Sequence, residues 1–136
     1  MEKEIQQKYL ELQLMDQQIK QIQKNIDLIE NQIIELESVN QSLEELGNVK
    51  PGTEILVPVS GGVFAKAELK DNKNLVVNVG ARTSVKKTIP QTRKMITEQI
   101  NEIAGTRDEL LLQLQQSVKK AQQIQQELEE LQKGKK

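Results

Sequence analysis

Residues 53–88 read TEILVPVSGGVFAKAELKDNKNLVVNVGARTSVKKT, and their alternating, glycine-punctuated pattern decides the fold. Glu54 to Ser60 and Val63 to Lys70 carry apolar residues at every second position: Ile55, Val57 and Val59 in one run, Val63, Ala65, Ala67 and Leu69 in the other. That period is the mark of a half-buried strand. Ser60-Gly61-Gly62 supplies a hairpin turn. Asp71-Asn72-Lys73-Asn74 makes a second turn, and Leu75 to Val79 with Thr83 to Thr88 forms a further strand pair around Gly80-Ala81-Arg82. Pro58 cannot donate to a ladder, so it belongs at an edge or a bulge. The expectation is four strands in two hairpins.

An isolated two-stranded hairpin is marginal in water. One face of each of these is almost entirely valine, leucine and isoleucine, and the strand edges are open. The chain has no further element to cover them, so strand pairing with other subunits is expected.

The flanks differ in kind. Before the block, Ile5, Leu12, Ile19, Ile26 and Ile33 recur at one heptad position, and Met15, Ile22, Ile29, Leu36 and Leu43 at the other, broken only by Lys8 and Asn40. An unslipped seven-residue repeat keeps one seam facing a partner helix. Gln, Glu and Lys fill the intervening positions and favour helix. The spacing predicts a helix over 3–46, roughly 65 Å long, ended by a left-handed cap at Gly47-Asn48 and a turn at Pro51-Gly52. After the block, Thr88-Ile89-Pro90-Gln91 fits a capped helix start. The heptads resume over 89–132 with Ile100, Leu114, Ala121 and Leu128 at a, and Ile96, Ile103, Leu110, Ile124 and Leu131 at d. Arg93, Arg107 and Ser117 interrupt them, and Gly105 in mid-helix costs about 1 kcal/mol relative to Ala.

The flanks are of nearly equal length, so they can fold back as an antiparallel pair. In that arrangement a meets d, and partners have numbers that add to about 136: Ile5 with Leu131, Leu12 with Ile124, Ile26 with Leu110, Ile33 with Ile103. The fold class is therefore α+β, a single domain over residues 1–136 in which a long antiparallel two-helix coiled coil is joined by the double hairpin at 53–88.

Tyr9, Leu10 and Leu14 stand away from the seam, at positions e, f and c, and all lie in the first turns of the first helix. Scattered surface leucine is ordinary. Clustering at one end of the helix also suits a surface kept exposed for a partner.

Composition removes several functions. One Tyr, one Phe and no Trp among 136 residues argue against a compact globular core. Twenty acidic residues against 19 basic ones leave no polybasic face for nucleic acid or lipid. The tail lysines Lys133, Lys135 and Lys136 read as a solvated end. With no His and no Cys there is no disulfide, thiol or imidazole chemistry, and no carboxylate pair marks a catalytic or metal site. Ser60-Gly61-Gly62 lacks the spacing and Lys-Ser/Thr ending of a phosphate loop. No apolar run reaches membrane-span length and no signal core opens the chain. The expectation is a cytoplasmic protein that is not an enzyme and needs no cofactor.

The chain resembles the alpha class of archaeal-type prefoldin subunits along its whole length. The most specific likeness lies in Leu56-Val57-Pro58-Val59 through Gly62, Phe64-Ala65-Lys66-Ala67-Glu68-Leu69 and Val77-Asn78-Val79-Gly80-Ala81. Two hairpins rather than one point to alpha rather than beta. The resemblance implies a hexamer of two alpha and four beta subunits whose hairpins form two β-barrels, with six coiled coils hanging from that body. It implies an ATP-independent holdase whose tips bind unfolded polypeptides and pass them to a group II chaperonin. On this chain the barrel residues are Ile55, Val57, Val59, Val63, Ala67, Leu69, Val77, Val79 and Val85. The residues expected at the tips, inferred from their place at the helix ends, are Tyr9, Leu10 and Leu14, with help from Leu128 and Leu131. The competing expectation is a structural, filament-forming coiled-coil protein related to prefoldin.

Overall fold

The computed structural model describes residues 2–134. The order is α1 (Glu2–Gly47), β1 (Glu54–Ser60), β2 (Val63–Glu68), β3 (Leu75–Gly80), β4 (Thr83–Lys87) and α2 (Ile89–Lys133). The tail residues Lys135 and Lys136 lie outside the described residues. Two compact units are distinguished, one combining α1 up to Ile33 with α2 from Glu102, the other running Ile34–Asn101.

In the first unit the helices pack antiparallel along the heptad seam. Met15, Ile26, Ile33, Ile124 and Leu128 are its buried residues, all at seam positions. Polar links also cross between the helices. Lys8 Nζ donates to Glu127 Oε2 at 2.6 Å, and Gln132 Nε2 donates to the Tyr9 hydroxyl at 2.8 Å. Lys8 holds a seam position, so the Glu127 carboxylate lets an ammonium sit at the edge of an apolar stripe, its aliphatic stem packed and its head charged.

The second unit contains the inner ends of both helices and the two hairpins. Here too the register is the expected one. Asn40 Nδ2 donates to Thr97 Oγ1 at 3.2 Å, and Arg93 Nη2 lies 3.7 Å from Glu44 Oε2. Asn40 Oδ1 and Arg93 Nε are nevertheless buried without a partner. Polar groups in a seam cost stability and penalise alternative registers.

α2 starts on a reciprocal capping box. The Gln91 amide nitrogen donates to Thr88 Oγ1 at 3.3 Å, and the Thr88 amide nitrogen donates to Gln91 Oε1 at 3.0 Å. Two of the donors that every helix start leaves free are thereby satisfied.

The end of α1 departs from expectation. Neither Gly47 nor Asn48 takes a positive φ. The helix instead tightens into i→i+3 bonds, from the Asn48 nitrogen to the Glu45 carbonyl at 3.0 Å and from the Val49 nitrogen to the Leu46 carbonyl at 3.1 Å. The Asn72 side chain, from the turn between the hairpins, donates to the carbonyls of Leu46 at 3.1 Å and Val49 at 2.7 Å. A left-handed residue is one way to satisfy terminal carbonyls. An amide brought in from elsewhere has the same effect, so the reversal at Gly47 is unnecessary. The turn at Pro51-Gly52 forms as expected, with Gly52 at φ 92° and the Thr53 nitrogen donating to the Lys50 carbonyl at 3.2 Å.

The hairpins are separate two-stranded antiparallel sheets, β1–β2 and β3–β4. β1 pairs Ile55 with Ala67 and Val57 with Ala65, and the register shifts between Pro58 and Ser60. The proline thus sits beside a bulge, where its missing donor does least harm. β2 ends at Glu68 rather than Lys70, although Leu69 extends the pairing through its nitrogen to the Thr53 carbonyl at 2.9 Å. Gly61 and Gly62 form the first turn at φ 56° and 83°, the double positive φ that suits the twist of a tight hairpin. β3 pairs Val77 with Val85, and its turn is made by Ala81 and Arg82 at φ 49° and 61°. Two side chains there occupy a region that glycine or asparagine fills more easily.

Candidate functional site

Two of the surfaces where apolar residues stay unburied hold the residues expected to bind or assemble. The first is the end of α1. Tyr9, Leu10 and Leu14 are 51%, 61% and 54% exposed. They leave the seam because heptad positions e, f and c turn outward while a and d face α2. The other two expected tip residues behave differently: Leu128 is 5% exposed and Leu131 half-buried, both in the seam. A partner could reach Leu128 only where the helices separate. The clasp opposing that separation is the Lys8–Glu127 and Tyr9–Gln132 pair of contacts. The neighbouring Glu127 carboxylate, as hydrogen-bond acceptor and charge, holds the Lys8 ammonium above its usual pKa.

Beside Tyr9 the surface is indented. A groove of about 530 Å³ is lined by Tyr9, Leu12, Asp16, Ile19, Ala121 and Gln125 among others. Ala121 contributes to the groove, since its single methyl at an a position occupies less space than the leucines found at other a positions. An aliphatic side chain from outside fits such a dip without needing any defined direction of approach.

The second surface is the pair of hairpins. Ile55, Ala67, Leu69, Val77 and Val85 are half-buried, while Val57, Val59, Val63 and Val79 are exposed. Directly paired residues point to one side of a hairpin. Ile55, Val57, Ala65 and Ala67 therefore share one face of β1–β2, and Leu75, Val77 and Val85 share one face of β3–β4. The opposite faces are less polar than the alternation predicts. Leu56 and Phe64 stand on the back of β1–β2 and Val76 on the back of β3–β4, and Val76 is 75% exposed. These three are absent from the sequence-derived set because alternation selects one face and treats the other as solvated. The signals that could have found them are the unbroken apolar runs Ile55-Leu56-Val57, Val63-Phe64-Ala65 and Leu75-Val76-Val77, which suit strands covered on both sides.

No group of three or more metal-ligating side chains occurs among the described residues, and no helix there is long and apolar enough to cross a membrane.

Comparison with known proteins gives this arrangement its class. A family model described as prefoldin subunit matches residues 15–134. The chain belongs to the prefoldin family. It is 28% identical to prefoldin subunit alpha of Methanococcus aeolicus, over 96% of this chain and 88% of that one. It is 30% identical to prefoldin subunit alpha of Archaeoglobus fulgidus over 93% of each chain. Among solved structures, a filamentous PFD from Methanocaldococcus jannaschii superposes with a TM-score of 0.77 at 21% identity, over 85% of this chain and 95% of that one.

Proposed function

We propose that this chain is an alpha-class prefoldin chaperone subunit that acts as a single domain and holds unfolded polypeptides without ATP. The observation that carries the reading is the exposure of Tyr9, Leu10 and Leu14 together at one end of α1, beside the groove at Ala121. Exposed aliphatic side chains make weak, non-directional contacts, suited to clients that share no sequence. Several such ends on one body raise avidity through effective concentration. A holdase shifts its client's equilibrium simply by binding the unfolded form, with no chemistry required.

The hairpins supply that body. Their open edges and uncovered valines favour pairing with other subunits, and closure into barrels removes edges altogether. In this reading the partners are four beta subunits and a second alpha subunit. The client passes from the tips to a group II chaperonin, and the work is done in the cytoplasm without catalysis.

Replacing Leu10 and Leu14 with Ser in the assembled complex tests the tip. The expected outcome is loss of most of the suppression of aggregation of an unfolding client, with the mass of the complex unchanged. Full suppression by the variant would take these residues out of the site.

A second reading, a filament-forming subunit, is favoured by one observation: each hairpin is a two-stranded sheet with both outer edges unpaired. Edge pairing that does not close runs on indefinitely. Light scattering separates the two, since the chain mixed with a beta-class subunit gives a defined hexamer in the first case and long homopolymers in the second.

A further inference from the structure

The chaperone reading leaves unused a third apolar surface, on the outer side of α2 within the first unit. Leu111, Leu112 and Val118 are 43%, 56% and 38% exposed, and with Leu114 and Gln115 they line a groove that begins at Asp108. At 3.6 residues per turn, Asp108, Leu111, Leu112, Gln115, Val118 and Lys119 fall on one side of the helix, about 110° round from its seam.

The order of charge along this face is what identifies its occupant. An acidic group, Asp108, precedes the leucines, and a basic one, Lys119, follows them. When two copies of such a face meet head to tail across a two-fold axis, each position meets its mirror position in the other copy. Asp108 then faces Lys119, on one side of the contact. Leu111 faces Val118 on the other side, because in antiparallel helices like-sided positions meet. Gln115 lies close to the axis and faces its own counterpart. One register, to within the reach of a lysine side chain, satisfies all three pairings, so the face is complementary to itself in charge and in apolar contact. The exposed Asp108 is otherwise engaged by its half-buried neighbour Arg107, at 3.3 Å, a contact compatible with a second cation.

We infer that the α2 face centred on Gln115 docks against the same face of a second copy of this chain, antiparallel, with Asp108 opposite Lys119. Three aliphatic side chains per copy make a small interface. It associates only at high concentration, and being antiparallel it joins chains of different assemblies, because arms hanging from one body run the same way. The inference does not depend on clients or on barrels, because it concerns helix faces alone.

The test uses the full chain carrying Gln115→Cys, the only cysteine, with a short bis-maleimide cross-linker. The expected result is a covalent dimer formed well above the level given by Gln17→Cys, on the outer side of α1. Adding Asp108→Lys or Lys119→Asp should lower the yield about fivefold, since each opposes like charges twice across the axis. Combining the two reversals in one chain restores the pairing and should restore the yield. Circular dichroism confirms intact helices in each variant. A yield no higher than that of Gln17→Cys, single reversals without effect, or a double reversal that fails to recover would each overturn the inference. Cross-linking solely to an added unfolded polypeptide would also overturn it, and would assign the patch to clients.

Discussion

The side-chain amide of Asn72 lies 2.7 Å from the carbonyl oxygen of Val49, 23 residues earlier, and 3.1 Å from that of Leu46. One NH2 group from the turn between the hairpins thus closes the end of the first helix. This ties the mid-chain turn to the helix before it, in a unit with little apolar burial of its own.

Asn72→Ala should therefore destabilise the protein by about 1–2 kcal/mol, the cost of leaving part-buried carbonyls without donors. Asn72→Asp should be no better, because a carboxylate cannot donate and faces carbonyl oxygens. Thermal melts of the two variants check this, and a melt for Asn72→Asp equal to that of the unaltered chain would disprove it.

The partnerless Asn40 Oδ1 and Arg93 Nε set a cost within the seam. Asn40→Leu should raise stability by about 1 kcal/mol, since it removes a buried acceptor and adds apolar contact. Thr97 Oγ1 still has a partner in the variant, the Arg93 carbonyl at 2.9 Å. Urea unfolding of the two chains gives the difference directly.

The turn at Ala81 and Arg82 holds two ordinary residues at positive φ. The double substitution Ala81→Asn, Arg82→Gly places there the pair of residue types that such a turn favours, and should stabilise the second hairpin by about 1 kcal/mol or more. Gly61→Ala, by contrast, introduces at the first turn the strain that this double substitution relieves at the second. Opposite shifts in melting temperature are expected.

Acid should expose the role of Asp71. The backbone nitrogen of Lys73 donates to its carboxylate at 2.7 Å, and this holds its pKa below the usual value of 3.8. A depressed carboxylate stabilises the fold above the unfolded value, and that contribution is lost as pH falls through the lower, folded one. The stability of Asp71→Asn should accordingly change less than that of the unaltered chain between pH 5 and pH 2 (roughly the span over which a depressed carboxylate titrates). Lys8 acts at the other extreme. Its raised pKa means that its pairing with Glu127 persists below the ordinary lysine value and fades only in strong alkali.

Much of this architecture is legible without coordinates, and the reason is periodicity. Ile5 to Leu43 and Ile96 to Leu131 repeat every seven residues, and only a helix pair satisfies that period. Gly61-Gly62 between alternating runs fixes the first hairpin for an equally local reason. What escapes such a reading is non-local. Asn72 looks like any turn residue until the helix end that it caps comes within reach. Glycine commonly reverses the chain after a helix, yet at Gly47 the carbonyls are already provided for. Leu56, Phe64 and Val76 fall on the wrong phase of an alternation, and only the register of β1–β2 and β3–β4 shows how open those sides are. Near the start of α1, the exposure of Tyr9, Leu10 and Leu14 follows from heptad phase, and the burial of Leu128 from its place at a seam position.

No side chain among the described residues falls below 2% exposure, because within each unit the two helices meet only along the heptad stripe. Neither unit has a centre to lose. Each layer leans chiefly on the layers above and below it, so damage at one step weakens its neighbours instead of collapsing the whole. Over generations, arms of this kind can be lengthened or trimmed by whole heptads on both strands, changing reach while leaving the hairpins as they are.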